Sequence, residues 1–228
     1  PNKSITKTLW LAESLLQIDA DLICLNEVGG EESLANFARF FLHDRYTPYL
    51  IEGNSDRGID IGYLLRKDFS GLAELRTHKN RPLNFLYPHE IPNSSADNTK
   101  SAMKSHYFSR DCAELRIFTK SQTNPAMIVL LVHLKSKLDP EGIDPEGRGR
   151  REAEIKTLVK IYQEIKLEFP NTPILVTGDF NGFAGRANLA QEFSALKATD
   201  LESVFDIVGL TPEMAATQLQ FSRNGQVN

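Results

Sequence analysis

The chain has 228 residues, 41% hydrophobic and 25% charged, with a formal net charge of −4 and a pI near 5.8. That is enough chain for one α/β domain with a sizeable core. The acidic balance excludes a protein that coats nucleic acid by bulk electrostatics, though not an enzyme with a locally basic or metal-neutralised cleft, and no apolar run reaches the roughly 18 residues of a membrane span.

Leu9, Ala12, Leu15, Leu16 and Ile18 recur at helical spacing and predict a helix over residues 5–18. "DLICLNEV" reads as a buried strand, Leu22 to Val28, stopped by Gly29 and Gly30. A second amphipathic helix with Leu34, Phe37, Phe40 and Phe41 on one face precedes a strand from Ile59 to Leu65. The polar, proline-dotted stretch from about Lys79 to Tyr107 reads as a long surface loop. Strand signals return at "CAELRIFTK" and "AMIVLLVHLKSK", and "LDPEGIDPEGRGR" reads as a solvated connector. The next helix, Arg151 to Leu167, turns Leu158, Ile161, Tyr162 and Ile165 inward, and "PILVTGDFN" is the strand after it. A helix near Ala187–Leu196 and a strand near Gln218–Ser222 close the chain.

No repeat, low-complexity tract or linker interrupts residues 1–228, so a single domain of sheets covered by helices is expected. The chain begins at Pro1 and runs out just after Asn224-Gly225, a hairpin signal, and so reads as a piece of a longer sequence. Cys24 and Cys112 sit in apolar stretches and read as buried free thiols, with a disulfide left open.

Several strands carry polar residues where apolar ones are the rule. Alternation sets Glu27 on the face of Ile23 and Leu25, a costly position for a carboxylate without a cation. His133 shares a face with Val129 and Leu131, and Asp179 and Asn181 point the same way if the chain stays extended. Asp60 interrupts an otherwise apolar strand. Each has an ordinary explanation alone: a core histidine, a solvated strand end, an Asx turn. Together they suit hard-cation and phosphate chemistry. Oxygen ligands favour Mg2+ or Mn2+, and histidine transfers protons near neutral pH. Arg148, Arg150 and Arg151 either border a phosphate groove or lie in an exposed loop before a helix.

The segments "DLICLNEV", "RGIDIGYLLR", "FSRDCAEL", "VHLKSK" and "VTGDFNGF", in that order, resemble the endonuclease/exonuclease/phosphatase superfamily, the deoxyribonuclease I-like fold. The resemblance implies an α/β (α+β) fold: a four-layered sandwich of two mixed, mainly antiparallel sheets flanked by helices, with the site where strand ends of both sheets converge. It implies a metal-binding role for Glu27, with Asn26 in place of the family's glutamine. His133 becomes the residue that hydrogen-bonds the phosphate or protonates the leaving oxygen. Asp179 and Asn181 become the pair that orients water and holds the phosphate. Asp60 is expected to hold the His133 tautomer, and Arg110, Lys135 and Asn26 to contact substrate. The family's first strand, with its Asn, and its C-terminal Asp and His are not in these 228 residues.

The implied activity is metal-dependent hydrolysis of phosphodiesters, a DNA endonuclease or related nuclease, with Mg2+ as cofactor (Mn2+ or Ca2+ as alternatives) and nucleic acid, DNA favoured, as partner. Alternatives are a phosphatase or sphingomyelinase-like lipid phosphodiesterase of the same fold, or an inactive binding module. No obligate protein partner is evident, and the compartment is not fixed.

Overall fold

The computed structural model describes residues 4–91, 105–120, 123–185 and 189–211. Helix α1, Ile5–Ile18, leads into β1, Leu22–Val28, and α2, Glu31–Phe40; β2, Tyr46–Tyr49, β3, Asp60–Arg66, and β4, Leu72–Thr77, follow. Next come β5, Cys112–Phe118, β6, Met127–His133, the long α3, Arg148–Glu168, and β7, Ile174–Asp179. A 3-10 helix, Gln191–Ala198, and a short α4, Val204–Ile207, end the described chain. The strand expected near Gln218–Ser222, the Asn224-Gly225 turn and the start of the helix expected at Ala187 lie outside the described residues. Among the described residues no helix is long and apolar enough to cross a membrane.

Two sheets form. One has the order β1-β3-β2, with both pairings antiparallel. The other has the order β4-β5-β6-β7 and is antiparallel except for the parallel β6–β7 pair. A parallel pair needs a crossover, which α3 supplies. Strand alternation sorts the apolar side chains into three layers of core. Ile61 and Tyr63 of the first sheet meet Ala113, Leu115, Ile117, Val129 and Leu131 of the second between the sheets. Ile23 and Leu64 face outward against Ala12, Leu34 and Ala38 of α1 and α2. Ile128, Leu130 and Val132 face the other way, against Ile155, Leu158, Ile161 and Ile165 of α3. The result is the expected four-layered helix–sheet–sheet–helix sandwich. The Tyr63 hydroxyl, wholly buried, reaches across the gap to the carbonyls of Ala113, at 2.8 Å, and Val129, at 2.9 Å.

The helix faces differ in part from the reading of the sequence. Leu9 and Ile18 of α1 are 53% and 68% exposed, and Phe40 of α2 is 64% exposed. Of the expected positions Ala12 and Leu34 are buried, and Ala38 joins them on the inward face of α2. The inward face of α3 is as expected. Strands β2 and β4 escaped the sequence reading. Both are edge strands, one of four residues with Pro48 inside it, the other alternating with its outer residues in solvent. Cys24 and Cys112 are free thiols. Burial pushes the Cys24 thiol up to about 11 and that of Cys112 higher still than its ordinary value.

Pairing of β7 with β6 depends on Gly178. Its φ is +132°, and a Cβ there would stand 1.9 Å from the Val132 carbonyl oxygen. Gly178→Ala is therefore expected to lower stability by about 3 kcal/mol through strain and displaced backbone. Urea denaturation of the two proteins checks this: an unchanged midpoint would mean the strands do not approach so closely.

Candidate active site

The parallel register sets His133 opposite Asp179 at the same ends of β6 and β7. His133 Nε2 lies 3.8 Å from Asp179 Oδ2, wider than a hydrogen bond and narrow enough for one oxygen atom to bridge. The backbone does not stay extended beyond Asp179. Asn181 takes φ 51° and its amide donates to Asp179 Oδ1 at 2.8 Å, an Asx turn. The turn still brings Asn181 to the site, because its Nδ2 donates to the Leu134 carbonyl at 3.1 Å. Asp179 thus keeps Oδ2 toward His133, with its side chain 50% exposed.

Glu27 arrives from the other sheet by a route that simple alternation misses. The β1–β3 register slips between Asn26 and Val28, and Glu27, at φ 60°, is the bulged residue. It is exposed, not on the Ile23 face. The bulge brings its charge within reach of His133 and Arg110. The neighbouring Asn26 Oδ1 is buried and has no hydrogen-bond partner among the described residues. An orphaned acceptor beside a solvent-facing carboxylate fits a hard cation. Among the described residues no group of three His, Cys, Asp or Glu side chains forms a cage. A cation here would keep water or substrate oxygens as further ligands, as Mg2+ commonly does.

Arg110 follows the loop 105–109 and is 6% exposed. Its Nη1 donates to the Leu134 carbonyl at 3.3 Å, while its Nε is buried without a partner among the described residues. Burial, helped by Arg57, pulls its pKa down against the opposing charges of Glu154, Glu27 and Asp179. His133, 4% exposed, is also pulled down, first by desolvation and then by Arg110. Asp179 and Glu27 oppose that shift and Arg57 adds to it. The imidazole is therefore neutral at pH 7.

Asp60 does not hold His133, whose Nδ1 is buried without a hydrogen-bond partner among the described residues. Asp60 Oδ1 instead accepts from Gly53 N at 2.8 Å. Asn54 N, next in sequence, donates to the Arg110 carbonyl at 2.8 Å. Gly53 has to be glycine here, since a Cβ would stand 2.7 Å from that carbonyl oxygen. Asp60 thereby ties the loop 51–59, and its exposed Arg57, to Arg110 rather than fixing a tautomer. That loop and Gly29-Gly30 enclose a pocket of about 160 Å3 with Glu52 and Asp60 in its wall.

Lys135 is also drawn away from substrate, because Nζ donates to the carbonyls of Ser136, at 3.2 Å, and Leu138, at 2.6 Å. The three arginines at the start of α3 separate. Arg148 is exposed and pairs with Glu146 at 2.5 Å. Arg150 donates to the Tyr107 carbonyl at 3.0 Å. Arg151, 1% exposed, donates to the Lys135 and Glu146 carbonyls and to Glu192. It is a buried strut rather than an exposed loop residue.

The sequence reading missed Glu154. It is fully buried on α3, and its two carboxylate oxygens accept from Ser109 N at 2.7 Å and Lys135 N at 2.6 Å. One side chain thus holds the backbone just before Arg110 and just after His133 and Leu134. Burial raises its pKa against those bonds. Its sequence signal was a carboxylate next to Ile155 on the inward face of an amphipathic helix.

No family model matches the chain, and no curated protein matches it by sequence. Solved structures do. The human Nocturnin catalytic domain with bound sulfate matches with a TM-score of 0.59 at 14% identity, over 99% of this chain and 73% of that one. ANGEL2, a 2',3'-cyclic phosphatase in complex with adenosine-2',3'-vanadate, matches with a TM-score of 0.50 at 18% identity, over 95% of this chain and 54% of that one. TDP2 from Caenorhabditis elegans matches at 0.49 and 19% identity over 78% of this chain, which spans 43% of the TDP2 chain. At these identities the likeness to Nocturnin and ANGEL2 shows the fold alone, the two-sheet sandwich with flanking helices expected from the motifs.

Removing the Glu154 carboxylate leaves two buried amides unpaired, each costing about 1–3 kcal/mol. Glu154→Leu should therefore lower stability by about 3 kcal/mol, and Glu154→Gln, which keeps one acceptor, by about half of that; urea denaturation reads both. The depressed His133 pKa means the folded state binds fewer protons than the unfolded state, whose histidine titrates near 6.5. In metal-free buffer the stability from this group is full above pH 6.5 and is lost as pH falls below it, with a slope of at most about 1.4 kcal/mol per pH unit. His133→Gln should flatten that part of the stability–pH curve, and an unaltered slope would assign the acid sensitivity to other groups.

Proposed function

We propose that the chain hydrolyses phosphate esters with the help of a divalent cation, and that phosphodiesters of nucleic acid are its substrates. The observation that carries this reading is the meeting of His133, Asp179, Asn181 and Arg110 on one sheet edge with Glu27 from the other. Two buried nitrogens there, His133 Nδ1 and Arg110 Nε, lack partners among the described residues, and such groups are rare unless a ligand or water completes them. The same fold holds a sulfate in Nocturnin and an adenosine vanadate in ANGEL2.

Glu27 and Asn26 Oδ1 would hold the cation, Mg2+ or Mn2+, which when bound polarises a phosphoryl oxygen and offsets developing charge. Asp179 directs Oδ2 at the gap before His133 and orients the attacking water there as general base. Asn181 spends one amide hydrogen on Leu134 and keeps the other for a phosphoryl oxygen. Arg110, desolvated and held by the Leu134 carbonyl, gives the phosphate a fixed positive neighbour. Neutral His133 offers an N–H to the phosphate without adding a charge. A phosphatase acting on a cyclic or terminal nucleotide phosphate is the second reading, drawn from ANGEL2.

The test is a panel of plasmid DNA, single-stranded DNA, RNA and 2',3'-cyclic nucleotide with Mg2+, Mn2+, Ca2+ or EDTA. Hydrolysis of a nucleic acid is expected with Mg2+ or Mn2+ and not with EDTA. His133→Ala and Asp179→Ala should each lower the rate by about 10²–10⁴-fold, and Glu27→Gln should raise the Mg2+ concentration needed for half-maximal rate. Hydrolysis that persists in EDTA, or survives His133→Ala, overturns the reading.

A further inference from the structure

Strands β6 and β7 leave the sheet side by side, and their exits stay in contact as they run outward. His133 meets Asp179 at 3.8 Å, and the Leu134 carbonyl meets the Asn181 amide at 3.1 Å. Further out, Lys137 Nζ stands over the Phe183 ring, 5.8 Å from its centroid. Phe183 is 66% exposed, although its backbone is fixed by the Ala190 amide, which donates to its carbonyl at 2.9 Å. Lys137 is exposed and has no ion pair among the described residues. Packing explains neither side chain: the core is closed by Phe180 and Phe193 beneath. Only Gly182 separates Phe183 from Asn181, so their Cα atoms are within about 7 Å of each other. A ring at that distance from a phosphate-binding amide is where the base of an adjoining nucleotide would lie.

We propose that Phe183 and Lys137 form a subsite for the nucleotide flanking the scissile phosphate, with an unpaired base stacking on the Phe183 ring and the next phosphate meeting the Lys137 ammonium. The pairing of an aromatic platform with a cation is the chemistry of single-strand recognition, since every base has a π face to stack and every linkage a charge to neutralise. A base held in a duplex has both faces covered by its neighbours and gains nothing from the ring. The subsite therefore selects single-stranded nucleic acid over duplex. This rests on the reading of the site as one for nucleic-acid phosphodiesters.

The experiment measures binding of a fluorescent single-stranded oligonucleotide, and of the same sequence as a duplex, to the full chain in EDTA. Phe183→Ala should weaken single-strand binding by about tenfold and leave duplex binding unchanged, while Phe183→Trp should retain it. Lys137→Gln should reduce the slope of log affinity against log salt by about 0.7. The exposure of both side chains keeps these substitutions from disturbing the fold. Single-strand binding that is unaffected by Phe183→Ala, an equal loss on duplex, or no single-strand binding by the wild-type chain overturns the subsite. Hydrolysis of the same oligonucleotide with Mg2+ is read separately. Its absence alongside Phe183-dependent binding would refute the proposed activity and leave the subsite standing.

Discussion

The close parallel approach of β7 to β6 is the constraint on which the rest of the site depends. It exists because Gly178 presents no side chain to the Val132 carbonyl, and it puts His133 and Asp179 in register. Everything nearby is then attached to one short stretch of backbone at the end of β6. The Leu134 carbonyl alone serves Asn181 and Arg110, and the Lys135 amide and carbonyl are taken by Glu154 and Arg151 of α3. A polar strand end is thus held as rigidly as a core residue, because its backbone groups are satisfied by buried side chains instead of water.

The charges are arranged by the same economy of anchors. Two carboxylates, Glu27 and Asp179, face Arg110 and Arg57 around a neutral histidine. Glu27 reaches this group only through the bulge in β1, and Arg57 only through a loop tied to Asp60 and Arg110. The first sheet therefore contributes its functional groups through irregular backbone, and the second through regular strand ends braced by a helix.

That division also explains what the sequence could tell. β3, β5 and β6 were legible because buried strands are near-continuous apolar runs, β1 and β7 because each opens on an unbroken apolar run, and α3 because its inward face repeats at helical period. The four-layered arrangement and the nearness of His133, Asp179 and Asn181 followed from the motifs. The positions of Leu9, Ile18 and Phe40 did not, since periodicity counts apolar residues and cannot say which of two apolar stripes finds a partner. The bulge at Glu27 was invisible because alternation assumes an unbroken register. The partner of Asp60 is not legible because a carboxylate within a strand suits a histidine as well as a backbone amide, and the amide of Gly53, a short loop away, is the one that donates to it. Arg151 reads as a groove or loop residue, and Glu154 has no reading at all, for the opposite reason: charged residues at the start of a helix look solvated until the helix is seen to be buried on that side.

The tyrosine that crosses between the sheets has a consequence for how the protein assembles. Tyr63 belongs to the first sheet, and both of its acceptors, at Ala113 and Val129, belong to the second. Pairings within the second sheet from β5 onward join segments close in the chain, whereas docking of the first sheet closes a span of roughly a hundred residues between Glu27 and His133, the kind of long-range contact that forms slowly. The Tyr63 hydroxyl can find its acceptors only when that docking is complete. A folding chain would thus acquire His133 and Asp179 early, as part of one sheet, and Glu27 with the final closure, so that the cluster would be complete only at the last step of folding.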